Sequence, residues 1–100
     1  MPKAARKTDI GSGHSCHFPE TPAIEGSPNV WINGLKVLRV DDHFESHGCP
    51  TCPKPVHSRT LADGSPNVYV NGKKAGRIGD PIDCGGTVVT GSKNVFINGD

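Results

Sequence analysis

The stretch Gly-Ser-Pro-Asn-Val-Trp-Ile-Asn-Gly at residues 26–34 decides how this chain is read, because it recurs twice. It returns as Gly-Ser-Pro-Asn-Val-Tyr-Val-Asn-Gly at 64–72 and as Gly-Ser-Lys-Asn-Val-Phe-Ile-Asn-Gly at 91–99. All six asparagines, Asn29, Asn33, Asn67, Asn71, Asn94 and Asn98, lie inside the three copies. Self-similarity of this kind is the signature of a structure built from equivalent units. Each copy carries a short apolar run that ends in Asn-Gly. That dipeptide is a strong hairpin signal, because a type I′ turn needs positive φ at both central residues. Side chains alternate across a strand. Val30, Ile32, Val68, Val70, Val95 and Ile97 therefore share one face and are expected to line a narrow central core. Trp31, Tyr69 and Phe96 take the other face. There they either cover the flank of a neighbouring hairpin or form a docking patch.

Working outward, two copies continue into a second strand. Lys36-Val37-Leu38-Arg39-Val40 follows the first turn and Lys73-Lys74-Ala75-Gly76-Arg77-Ile78 the second. Each reaches an Asp three residues after its Arg: Arg39 to Asp42 and Arg77 to Asp80. The third copy stops at Asp100, but the other end of the chain supplies Lys3-Ala4-Ala5-Arg6 with Asp9 at the same offset. The expectation is one all-β domain over residues 1–100 with three units: 26–42, 64–80, and 91–100 completed by 3–9. Such a split third unit closes a pseudo-threefold ring of hairpins and leaves no free sheet edge to invite aggregation. The repeated Arg-x-x-Asp reads either as surface ion pairs of little value or, because it is repeated around a ring, as a shared structural device.

Composition narrows the function. The 100 residues hold 13 Gly and 9 Pro but only 33% hydrophobic residues, so turns dominate and the core is thin. A chain so composed calls for a staple, whether metal, disulfide or partner. The longest apolar run is three residues, far short of the roughly 20 that a membrane-spanning helix needs. The opening Met-Pro-Lys-Ala-Ala-Arg-Lys has no apolar segment of the kind a secretory leader carries, so none is expected. The net charge of +1 and the lack of a basic stripe argue against nucleic acid as a partner. No nucleophile–base pair stands at motif-like spacing, and Gly-Ser-Gly at 11–13 lacks the lysine of a phosphate loop, so no enzyme activity is expected.

Five His and four Cys occupy the long connections between the repeats. Their offsets recur. His14 lies five residues after Asp9, His47 five after Asp42 and Cys84 four after Asp80; His57 precedes Gly64 by seven and Cys84 precedes Gly91 by seven. A pseudo-threefold ring brings equivalent connections to one end. His14, His47, His57 and Cys84 would there make a closed tetrahedral site for one structural Zn²⁺. Four protein ligands leave no open position for hydrolysis. His17 and His43 have no repeat equivalents, and either can stand in for a member of the set. Cys49-Pro50-Thr51-Cys52 is a Cys-x-x-Cys without a second copy. It reads as a disulfide, as free thiols, or as half of an irregular zinc site that includes Cys16 and Cys84. Solvated loop histidines without metal are the remaining reading.

The repeat Gly-Ser-x-Asn-Val-x-Ile/Val-Asn-Gly, followed by a Lys/Ala/Arg strand and Gly79-Asp80, resembles the PAAR-repeat proteins. The loops Gly-Ser-Gly-His at 11–14, Ser-His-Gly-Cys at 46–49 and Asp-Cys-Gly-Gly at 83–86 are similar to those of that family. Pro-Ala-Ala-Arg itself is nowhere intact; Lys3-Ala4-Ala5-Arg6, Lys36-Val37-Leu38-Arg39 and Lys74-Ala75-Gly76-Arg77 stand in its place. The resemblance implies a small cone of β-hairpins with zinc near its apex. It further implies a non-enzymatic tip on a trimeric β-helical spike protein (VgrG-like, or a phage spike) of a type VI secretion system or contractile phage tail. Such a tip assembles in the bacterial cytoplasm, passes transiently through a membrane on injection and helps to deliver effectors. The match runs from Lys3 to Asp100, so no appended effector domain is expected. The rival reading is a small zinc-binding adaptor built around Cys49 and Cys52.

Overall fold

The turns at Asn33-Gly34 and Asn71-Gly72 set the fold, and a computed structural model describes residues 2–13, 20–47, 57–83 and 85–97. Asn33 and Asn71 take φ of +54° and +55°, and Gly34 and Gly72 follow at +76° and +79°. Left-handed geometry at both central residues is the type I′ turn. Eight short strands and no helix occur among the described residues: β1 (Ile10–Gly11), β2 (Thr21–Pro22), β3 (Trp31–Ile32), β4 (Leu35–Lys36), β5 (His43–His47), β6 (His57–Thr60), β7 (Tyr69–Val70) and β8 (Lys73–Lys74). They pair antiparallel as β1–β2, β3–β4, β5–β6 and β7–β8. The fold is all-β.

The third hairpin joins the two ends of the chain. Trp31 stands opposite Lys36 and Tyr69 opposite Lys74. The equivalent pair is Phe96 and Lys3. The backbone repeats the equivalence. Val37 N–H donates to Val30 at 3.1 Å, Ala75 N–H to Val68 at 3.0 Å and Ala4 N–H to Val95 at 2.9 Å.

The second strands of the three units then bond to one another around a closed circuit. Leu38 N–H donates to Ala5 at 3.0 Å, Ala5 N–H to Gly76 at 3.0 Å and Gly76 N–H to Leu38 at 2.8 Å. Each strand is thus donor to one neighbour and acceptor from the other, and the circuit leaves no edge. The first Gly of each Gly-Ser lies against this layer. A Cβ on Gly64 would stand 2.5 Å from the Ala75 carbonyl oxygen, and one on Gly91 2.7 Å from that of Ala4.

Alternation along the ring strands feeds two small cores. Ala4 and Ala75 turn toward the hairpins and pack with Ile97, Ile32, Val68, Val70 and Val95. Val30 departs from the expected set. It is 39% exposed, and in that first unit Val37, buried, occupies the position that is Ala4 or Ala75 in the others. Ala5 and Leu38 turn the other way, into a core under the connections with Ala23, Phe44, Leu61, Ile82 and Val88.

This second core is also threefold, although its residues look unrelated. Ala23, Leu61 and Val88 each stand three residues before a Gly-Ser. Gly11, Phe44 and Ile82 each stand two after the Asp of an Arg-x-x-Asp. They bridge as Ala23–Phe44, Leu61–Ile82 and Gly11–Val88. Size is traded between equivalent positions. A Cβ on Gly11 would lie 2.5 Å from Ile82 and 3.0 Å from the Phe44 ring, so the glycine makes room for one large aromatic.

The three Arg-x-x-Asp segments are buried structural devices. Each carboxylate accepts the backbone N–H and the guanidinium of the Arg three residues before it. Arg39 reaches Asp42 at 2.9 Å and Arg77 reaches Asp80 at 2.8 Å through the terminal nitrogen, and Arg6 reaches Asp9 at 2.9 Å through Nε. The intervening turns place Thr8, Asp41 and Gly79 at φ of +81°, +76° and +91°. The turn asparagines lock neighbouring units together: Asn71 contacts Ser27 and Asn29 of the first unit, and Asn33 contacts Ser92 and Asn94 of the third.

Candidate functional site

Three connections leave the ring on the side of the larger core: residues 10–25, 43–63 and 81–90. They carry the metal-binding candidates. The structure brings two of these together. In the β5–β6 pair His47 stands directly opposite His57. Three steps along β5, from Phe44 to His47, match two along β6, from Arg59 to His57, so the pair contains a β-bulge. His14 and Cys84 lie outside the described residues, as do Cys16, His17, Cys49 and Cys52. Among the described residues no group of three or more His, Cys, Asp or Glu forms a metal cluster. His43 has another partner: its Nδ1 lies 2.6 Å from Glu25 Oε1. That bond, with a second from the His43 backbone N–H, holds the Glu25 carboxyl below its ordinary value.

What gathers the connections is Arg59, a residue without a motif. It stands two positions after His57 and its side chain is fully buried. One terminal nitrogen donates to Thr21 Oγ1 at 3.0 Å and the Gly11 carbonyl at 3.3 Å. The other donates to the carbonyls of Ser12 and Gly85, the latter at 3.2 Å. The guanidinium carbon lies 5.7 Å from the centroid of the Phe44 ring, within cation–π range. Arg59 thus ties its own connection to both others, at points two residues before His14 and one after Cys84. The offset explains the fit. Thr21, Arg59 and Gly86 each precede a Gly-Ser by five residues, and a Cβ on Gly86 would come within 3.0 Å of Arg59. One long side chain fills a layer in which its equivalents are small.

Two further ties hold the connections in register. Ser12 N–H donates to the Thr87 carbonyl at 2.8 Å, and Thr87 N–H returns to Ser12 Oγ at 2.9 Å. Asp83 takes the backbone N–H and hydroxyl of Thr60 at 3.0 and 2.8 Å. The residues on either side of Cys84 are therefore fixed to β6, which begins at His57.

The opposite side of the molecule offers a different chemistry. Trp31, Tyr69 and Phe96 are 54%, 57% and 47% exposed. Each stands across from a lysine, so every hairpin presents the same aromatic–lysine pair on its outer face.

Residues 45–90 match the family model of the PAAR motif. The chain carries a PAAR motif. The matched segment contains the second unit entire, together with His47, His57, Arg59 and Cys84. No curated protein matches the chain.

Proposed function

We propose that this chain is a PAAR-repeat protein, a non-enzymatic tip that caps a trimeric β-helical spike of a contractile injection machine, a type VI secretion system or a phage tail. One observation carries the reading: a single chain closes into a ring whose three hairpins present the same exposed aromatic–lysine pair. Three like patches about one axis suit a partner with three like chains. The aromatics supply apolar contact, and Lys3, Lys36 and Lys74 favour carboxylates on the blunt end of the spike. On this reading the tip assembles with its spike in the bacterial cytoplasm and crosses the target envelope with it, carrying effectors along.

The other side is the leading end, pinned by zinc. His47 and His57 occupy directly opposite positions of an antiparallel pair, and both belong to the proposed ligand set. The N/S donor set of His14, His47, His57 and Cys84 suits Zn²⁺. Bound there, the metal supplies a cross-link between three connections, and its binding energy becomes folding energy.

The test is capture of the spike trimer by the tagged tip. Wild type is expected to retain the trimer. The triple variant Trp31→Ala/Tyr69→Ala/Phe96→Ala is expected to stay folded and lose it. Retention by the folded triple variant, or no capture by wild type, removes the spike-cap reading. Metal analysis of the purified chain addresses the zinc separately, with about one ion per chain expected and fewer in His47→Ala.

A further inference from the structure

We infer that Arg59 is the positioning residue of the metal loops, and that it assembles them before any metal binds. The inference rests on the zinc reading for what the loops hold, but the assembly itself is drawn from described contacts. Arg59 is completely buried. A buried guanidinium is costly unless its protons find acceptors. Its four acceptors among the described residues are the carbonyls of Gly11, Ser12 and Gly85 and the hydroxyl of Thr21, all neutral. They come from two connections other than its own. Pulling either connection away strands a charge in the core, so the acceptors and the arginine hold one another in place.

The donor geometry suits this task. A guanidinium presents its N–H groups as a rigid planar fork. Both terminal nitrogens of Arg59 are used twice, and the ring of Phe44 supports the group from the side. Lysine has the charge but a single nitrogen with three donors, one fewer than the four acceptors that the two terminal nitrogens of Arg59 share. The small equivalents, Thr21 and Gly86, leave the space that the long side chain takes. The consequence for the metal is that its ligand-bearing loops enter a frame already built. Outer-shell residues of this kind usually change metal affinity by about 10–100-fold when removed.

The experiment uses hydrogen exchange on the full chain treated with a chelator, then zinc affinity by competition. In metal-free wild type the amides of Ser12, Asp83 and Thr87 are expected to be protected, as are those of Ala5, Leu38 and Gly76 in the ring. Arg59→Met is expected to lose protection at the first three by at least about tenfold while the ring is retained, and to bind zinc about 10–100-fold more weakly. Arg59→Lys is expected to restore little of either. A residue of merely structural value would loosen the ring in the same proportion. Three results overturn the inference: loop amides unprotected in metal-free wild type until zinc is added, unchanged loop protection in Arg59→Met, or zinc bound by that variant as by wild type. If Arg59→Met does not fold, Arg59→Lys decides in its place: loop protection and zinc affinity equal to wild type in that variant overturn the inference. If wild type takes up no zinc, the zinc reading falls, and loop protection alone decides the role of Arg59.

Discussion

Lys3 and Phe96 form an antiparallel bridge, so the third hairpin is built from the two ends of the chain. The first strand it contributes also carries Ala5, one of the three links of the ring circuit. Removing residues 2–9 takes away that link, the buried Ala4 and the Arg6–Asp9 pair together. Leu38 N–H then has no acceptor and the Gly76 carbonyl no donor. The expected outcome is loss of cooperative thermal unfolding, followed by circular dichroism and by dispersion of the amide proton spectrum. A truncated chain that melts within a few degrees of the full chain would contradict the closed ring.

Asp42 is buried and Arg39 largely so, and the neighbouring carboxylate raises the Arg39 pKa above its ordinary value. Asp42→Asn keeps the shape and removes the charge. It leaves a partly buried guanidinium without its counter-ion, a change that costs about 1–3 kcal/mol. Urea unfolding should show that loss as a lower midpoint. Asp63→Asn removes a carboxylate from the exposed pair with Lys74 and is expected to leave the midpoint close to wild type.

Thr8 is a β-branched residue held at φ +81°, where its repeat equivalent is Gly79 at +91°. An L residue in the left-handed region carries a conformational cost of about 1–2 kcal/mol, part of which glycine gives back through its freer unfolded chain. Thr8→Gly is therefore expected to stabilise the protein by roughly 0.5–1 kcal/mol, and Gly79→Thr to destabilise it. Paired denaturation curves check both signs.

Glu25 binds its proton more weakly in the fold than in the unfolded chain, because the His43 side chain and backbone N–H bond to its carboxylate. The stability this provides is fully present above the ordinary value of 4.5 and is lost as pH falls through the depressed folded value. Both groups are about half exposed, so the contribution is roughly a few tenths of a kcal/mol. Glu25→Gln should be slightly less stable than wild type at pH 7, with the gap closing in acid below that value. Urea midpoints across pH 3–7 provide the check, and a gap that widens in acid would reverse the sign.

The hairpins were legible in the sequence because Asn-Gly and the flanking residues are identical in kind at each copy. Turn geometry there is local, and tertiary packing does not override it. The larger core was not legible, because Gly11, Phe44 and Ile82 share a position and nothing else. Their identities are complementary: the volume missing at Gly11 is present at Phe44. A pattern of similarity cannot show a relation that consists of difference. The constant offset from each Asp was the available signal. Arg59 was hidden for a related reason. It stands at the same offset from Gly-Ser as Thr21 and Gly86, with which it shares no chemistry. The histidines make the opposite case: spacing related His47 to His57 only through the repeat, and the β5–β6 register places them at opposite positions of one strand pair.

One chain encodes all three units, and Arg59 shows what that permits. A symmetric homotrimer must place every residue three times about its axis. Three guanidinium groups in that space would repel one another, and three threonines or three glycines would leave it hollow. A covalently joined trio can fill such a layer with a single charge and let two small neighbours yield to it. The price of near-symmetry is that no one unit is sufficient: each is shaped to its siblings, and a duplicated or exchanged unit would bring the wrong residue to the centre.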